Sequence, residues 1–135
     1  MKKALTSLIT TLALPAFAGT VGLHVASYHD SGNFNNVNPG VYYRADSGLT
    51  IGTYCNSESA KNHCTLSSYA GYSLSSRSYN GFSTSLTLGV ITGYQAGTMP
   101  MAVPSVAYKN VRLAFVPKVN KLGANVLHLM LEKDF

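Results

Sequence analysis

One imidazole and one hydroxyl mark where this chain could do chemistry. His24 stands on the polar side of an alternating segment, just before a polar stretch. Asn56-Ser57 ends another such segment, again at the start of a polar stretch. A serine hydroxyl becomes useful when a neighbouring base takes its proton, and histidine is the usual base near neutral pH. Asn56 would then orient the pair or donate to a developing oxyanion. The plainer reading makes His24 a hydrogen-bonded partner of Tyr42 or Tyr54, and Asn56-Ser57 a loop turn. Other chemistries lack their residues. The carboxylates are few and scattered, and neither a glycine-rich phosphate loop nor a dinucleotide fingerprint occurs. Met99 and Met101, flanking Pro100, read as packing rather than a metal box. No cofactor and no metal is expected.

Elements that could bring residues 24 and 57 together must come from the hydropathy pattern. No stretch beyond the first eighteen residues keeps apolar residues at helical spacing for long. Period-two alternation recurs instead between Gly, Asn, Ser and Pro-rich breaks. It predicts strands near 20–29, 39–46, 48–56, 64–74, 81–93, 100–108, 110–117 and 124–135. The connections at 46–48, 75–80 and 109–110 are tight or short. Those at 30–38, 57–63, 94–99 and 118–123 are longer and more polar. An even number of strands with alternating short and long connections predicts an all-β, eight-stranded antiparallel up-and-down barrel of the outer-membrane type. His24 and Asn56-Ser57 would then share its outer rim.

Composition agrees with that class. The chain has 135 residues, 46% apolar and only 11% charged, enough for one domain. Met1-Lys2-Lys3, the uncharged apolar run Ala4 to Leu14, Pro15, and Ala16-Phe17-Ala18 have the form of an export signal, with cleavage before Gly19. This gives a signal peptide over 1–18 and a barrel domain over 19–135. Removing Lys2 and Lys3 lowers the formal charge from +5 to +3, without a basic run, so no nucleic-acid partner is expected. Export also permits a disulfide between Cys55 and Cys64, the two cysteines. Their alternative use as a metal pair with His63 leaves the coordination incomplete.

Facing decides the solvent. Val21, Leu23 and Val25 alternate with Gly22, His24 and Ala26. Phe82, Leu86, Leu88 and Val90 oppose Ser83, Ser85, Thr87 and Gly89, and Leu127, Leu129 and Leu131 oppose His128, Met130 and Glu132. Arg44, Arg112 and Glu132 share the polar face, where a lumen would let them pair. His128 joins that polar network, and Tyr28, Tyr42, Tyr43, Tyr94 and Tyr108 read as membrane-interface tyrosines. The terminal Phe135 after alternating leucines is like the assembly signal of outer-membrane barrels, so the barrel-assembly machinery is an expected partner. Eight strands enclose room for side chains or one slim ligand, not a wide pore.

Several segments resemble the PagP family of outer-membrane lipid A palmitoyltransferases: Leu23-His24-Val25-Ala26, Asn38-Pro39-Gly40, Tyr54-Cys55-Asn56-Ser57 and Tyr69-Ala70-Gly71-Tyr72. Further on come Leu88-Gly89-Val90-Ile91-Thr92-Gly93, Val103-Pro104-Ser105-Val106-Ala107-Tyr108 and Phe115-Val116-Pro117, in the family's order. The resemblance runs from about residue 22 to the end. It implies acyl transfer from phospholipid to lipid A, with both membrane lipids as partners. It also implies His24 as the family's essential histidine and Asn56-Ser57 at the position of its Asp-Ser pair. Pro39, Pro104 and Pro117 match the prolines that weaken strand pairing and admit lipid sideways. The chain departs from the family in having Asn for Asp at 56 and in lacking the helix that precedes the family's barrel.

The first reading is therefore an outer-membrane acyltransferase, expected as a monomer. His24 is its base, Ser57 the hydroxyl and Asn56 the orienting or oxyanion group. Gly52, Gly71, Ser85 and Gly89 would line a slot for one acyl chain. The alternative is a non-enzymatic outer-membrane barrel whose surface loops bind or shield. A third reading, a soluble periplasmic barrel holding an apolar ligand, requires the apolar faces to point inward.

Overall fold

The computed structural model describes residues 18–58, 63–118 and 123–135. The segment read as an export signal, apart from Ala18, lies outside them, as do residues 59–62 and 119–122 of two polar connections. Eight strands follow in order: β1 (Gly19–His29), β2 (Val37–Ala45), β3 (Leu49–Cys55), β4 (Leu66–Ser75), β5 (Phe82–Tyr94), β6 (Gly97–Tyr108), β7 (Val111–Val116) and β8 (Val126–Asp134). Each pairs antiparallel with its chain neighbour. β1 pairs with β8, closing the sheet into an up-and-down barrel. Closure joins the first strand to the last, so neither ends the sheet as a free edge.

The alternation turns the apolar face outward. Leu23 is 49% exposed while His24 beside it is 7% exposed, and Leu131, Leu88, Ile51 and Leu74 all stand outside. Thr50, Ser73, Ser85, Arg112 and His128 are buried within. This inverts a water-soluble barrel and is compatible with a hydrocarbon surround. The apolar core is correspondingly small: Tyr42, Ala114 and Met130, with Tyr69 and Val103 against them.

One end of the lumen is closed by charge. One oxygen of the Glu132 carboxylate accepts hydrogen bonds from Arg44 Nη1 at 3.0 Å, Arg112 Nε at 2.5 Å and the Tyr42 hydroxyl. Arg112 Nη1 also donates to Ser85 and Ser105, each at 2.8 Å, and Arg44 Nη2 donates to Thr20 Oγ1 at 3.2 Å. Three charges and their hydroxyl partners thus cross-link β1, β2, β5, β6, β7 and β8 near the tight turns at 46–48 and 109–110.

Three expectations change. Tyr94 still pairs with Gly97, so 94–99 is not a long loop but a two-residue turn through Gln95-Ala96, with Gly97 at φ +80°. β6 accordingly begins at Gly97 rather than at residue 100, and Pro100 pairs with Val90 of β5. Tyr42 and Tyr94 are lumen residues, bonded to Glu132 and Tyr54, rather than interface residues. The alternation of β1 also breaks. Its register shifts between His24 and Ala26 against both neighbours, so Tyr28 points outward at 64% exposure. Ser27 and His29 line the interior cavity.

Candidate active site

The bulge at Val25 is the local cause of the site. A bulge re-aims the side chains beside it and is common next to binding sites. Here it leaves His24 in the lumen, directly against four rings. Tyr54 lies 4.8 Å away between centroids, His128 5.0 Å, Tyr42 5.2 Å and Tyr69 5.7 Å. His24 Nδ1 meets His128 Nε2 at 2.8 Å, and His24 Nε2 meets the Tyr69 hydroxyl at 2.9 Å. Gly52 makes the Tyr69 contact possible, since a Cβ there would lie 2.5 Å from the Tyr69 ring.

Above this cluster opens a cavity of about 780 Å³. Its walls differ in character. β1 to β4 present His24, Tyr54, Tyr69 and Asn38, whereas β5 to β8 present Ile91, Met99, Met101, Val103, Val116 and Met130 together with Ser85, Thr87, Ser105, Arg112 and His128. Such a chamber offers polar groups for a reacting centre and an apolar stretch for a chain. Of the four small residues expected to line a slot, Ser85 does so. The space beside Gly52 is occupied by Tyr69 and Tyr42. Gly71 and Gly89 pair with each other so closely that a Cβ on Gly89 would come within 2.2 Å of the Ala70 carbonyl oxygen.

Asn56 is fully buried, and its amide is engaged at both ends. Nδ2 donates to Ser67 Oγ at 3.1 Å and to the Gly93 carbonyl at 2.8 Å, while Oδ1 accepts from Glu58 N at 3.0 Å. Ser57 lines the cavity mouth and hydrogen-bonds Tyr94, whose hydroxyl meets that of Tyr54 at 2.8 Å. His24 and Ser57 therefore face the same cavity but do not bond each other. The link between them runs through Tyr54 and Tyr94. The His24 partners named from sequence alone, Tyr42 and Tyr54, pack against its ring, and the hydrogen bonds go to Tyr69 and His128. The Cys55–Cys64 disulfide is formed, with Cα atoms 5.0 Å apart, so the thiols are not free to hold a metal.

The prolines sort by position. Pro39 falls inside the register shift between β1 and β2, opposite the bulge. Pro104 stands just beyond the last β6–β7 pair, Ser105 with Ala114, and Pro117 follows the end of β7. β6 pairs with β5 along most of its length but meets β7 only from Ser105 to Tyr108. Among the described residues, 97–104 have no partner in β7. The cavity reaches this split, since Pro100, Ala102 and Pro117 are among its walls. An outer groove of about 660 Å³, bounded by Pro104, Leu113, Phe115 and Leu127, lies on the other side, and Ser85, Ser105 and Ala114 line both spaces. No family model and no curated protein matches the chain. The reading of the site therefore rests on this geometry.

Sequence reasoning missed Tyr69 and the His128 contact. His128 shares the inward parity of Met130 and Glu132, which signals a lumen position. Its partner lies across the register shift in β1, which strict alternation hides.

Proposed function

We propose that the chain is a small outer-membrane barrel that transfers an acyl chain between lipids, as its resemblance to the PagP family implies. The observation carrying this reading is the split between β6 and β7, through which the chamber holding His24 meets the apolar outer belt. A lipid tail in the bilayer can pass sideways there without crossing water. Inside it lies against Met99, Met101 and Val103, with its ester near the polar groups.

His24 is the base of the reaction. It takes the proton of an attacking hydroxyl as that oxygen bonds to the ester carbonyl carbon. It returns the proton to the departing alcohol oxygen when the old ester bond breaks. Ser57 is the candidate hydroxyl on the protein, reaching Nε2 once it leaves Tyr94. A lipid A hydroxyl then attacks the acyl-Ser57 ester, its proton passing through His24 to the departing Ser57 oxygen. Asn56, its amide spent on Ser67, Gly93 and Glu58, orients the turn rather than the oxyanion. The donor is a phospholipid and the acceptor lipid A.

Mass spectrometry of lipid A from cells with and without the intact protein tests this, with His24→Ala and Ser57→Ala as controls. An added acyl chain that depends on His24 is the expected result. Unchanged lipid A in every case rules the activity out. A second reading keeps the barrel and drops the enzyme. Both His24 ring nitrogens are already bonded, and the second outer loop is clamped by a disulfide, as suits a binding surface. There, exchanging loops 30–36 and 56–65 alters the phenotype and His24→Ala does not.

A further inference from the structure

We propose that His128 is the positioning residue of the site: it accepts the Nδ1 proton of His24 and so keeps Nε2 as the basic nitrogen. The inference rests on the acyl-transfer reading and adds to it the group that orients the base.

The two imidazoles are nearly as buried as each other, at 7% and 8% exposure, and meet at 2.8 Å. A contact of that length between two neutral rings holds one proton, carried by one nitrogen and accepted by the other. Tyr69 favours His24 as the donor, and His128 gives that donor its acceptor. The Tyr69 hydroxyl has the other His24 nitrogen as hydrogen-bond partner, at 2.9 Å. A phenol is the better donor of such a pair, so Nε2 receives that proton and carries the lone pair. Nδ1 then holds the ring hydrogen and points it at His128 Nε2. The order Tyr69, His24, His128 is a directed chain from β4 across β1 to β8.

No carboxylate competes for this place among the described residues. Glu132 is held by Tyr42, Arg44 and Arg112 at the other end of the lumen. Asp30 is bound to Asn125, and Glu58 accepts from Gln95 N at 3.0 Å. His128 has the space to take the role because its neighbour on β7 is Ala114, and its ring rests 5.7 Å from that of Tyr54. Across β1 and β8, His24 stands opposite Met130 and Ser27 opposite His128, so the two histidines lie on the same inward face as diagonal neighbours across the shift at Val25.

The tautomer is the readout that a merely structural residue would not move. In protein labelled with 15N-histidine and held in detergent micelles, the His24 signals should report a protonated Nδ1 and a bare Nε2. His128→Phe keeps a ring of similar volume but has no acceptor. It should yield mixed tautomers and lower kcat for acyl transfer on the order of 10²-fold with KM within about twofold. His128→Gln, whose side-chain oxygen can accept, should recover most of both. If the phenylalanine variant does not fold, His128→Leu serves the same comparison. An unchanged tautomer in the folded variant, or full activity without the acceptor, overturns the assignment to His128 alone. Absence of acyl transfer by the unaltered protein overturns the function reading itself.

Discussion

At the end of the lumen near turns 46–48 and 109–110, side chains meet and neutralise one another. At the other end they stand apart around about 780 Å³ of space. Both halves arise from the same alternation of inward and outward residues. The filled half uses long groups that reach the axis, Arg44, Arg112, Glu132 and Tyr42, within a wall paired on every side. The hollow half places methionine, valine and alanine along β5 to β8, and there, among the described residues, 97–104 of β6 have no partner in β7. The difference separates two duties. Charge pairing across the axis stabilises the barrel, and the absence of such pairing leaves room for a ligand.

The strongest way to break this comparison is to remove the shared acceptor. Glu132→Leu leaves two guanidinium groups in the lumen without their carboxylate, and the barrel should lose about 3–5 kcal/mol. Urea unfolding in micelles, followed by the gel mobility of the folded barrel, measures it. Replacing Arg44, Arg112 and Glu132 together by Leu or Met should cost much less, because no charge is then left alone.

In the hollow half, activity should respond before stability. Pro104→Val with Pro117→Val restores one or two backbone donors beside the split, each worth about 1 kcal/mol. A split held shut by that much slows lipid entry about tenfold. Acyl transfer assayed in mixed micelles should fall accordingly while the urea midpoint holds or rises.

A smaller effect belongs to the rim. The Asp30 carboxylate accepts hydrogen bonds from Asn125 Nδ2 at 2.6 Å and Asn125 N at 3.0 Å. These bonds from Asn125 hold its pKa below the ordinary aspartate range. The folded value is depressed, so the clasp between the first and last outer loops is complete above the unfolded pKa and weakens as pH falls through the folded one. Amide exchange at Asn125 should therefore quicken only below about pH 4, and Asp30→Asn should remove that dependence.

The fold was legible because one-sided burial repeats at period two in every strand, and leucine next to serine or histidine marks both faces. Leu127 to Glu132 is the clearest case. Where reading failed, a backbone feature intervened. Gln95-Ala96 reads as part of a polar loop, yet Gly97 accepts a positive φ and lets β5 turn straight into β6. Pro100 reads as the first residue of its strand, yet β6 starts at Gly97 and Pro100 pairs with Val90 of β5. His24, Ser57 and Asn56 were chosen by residue type, and type alone does not reveal that the Tyr54–Tyr94 pair stands between base and hydroxyl. The contact of His24 with His128 spans 104 positions and lies across the register shift in β1.

The charged knot has a consequence for how the cylinder is assembled. Arg112 and Glu132 sit on adjacent staves, but Arg44, on the second, reaches Glu132 only when the first stave meets the last. In the outer-membrane reading, a half-built, still open sheet would hold the Arg44 cation facing oil without its counter-charge. Such a charge is far more costly alone than in company. Insertion and rounding-up are thereby coupled, and the latch that fastens the finished cylinder is also a penalty on leaving it ajar.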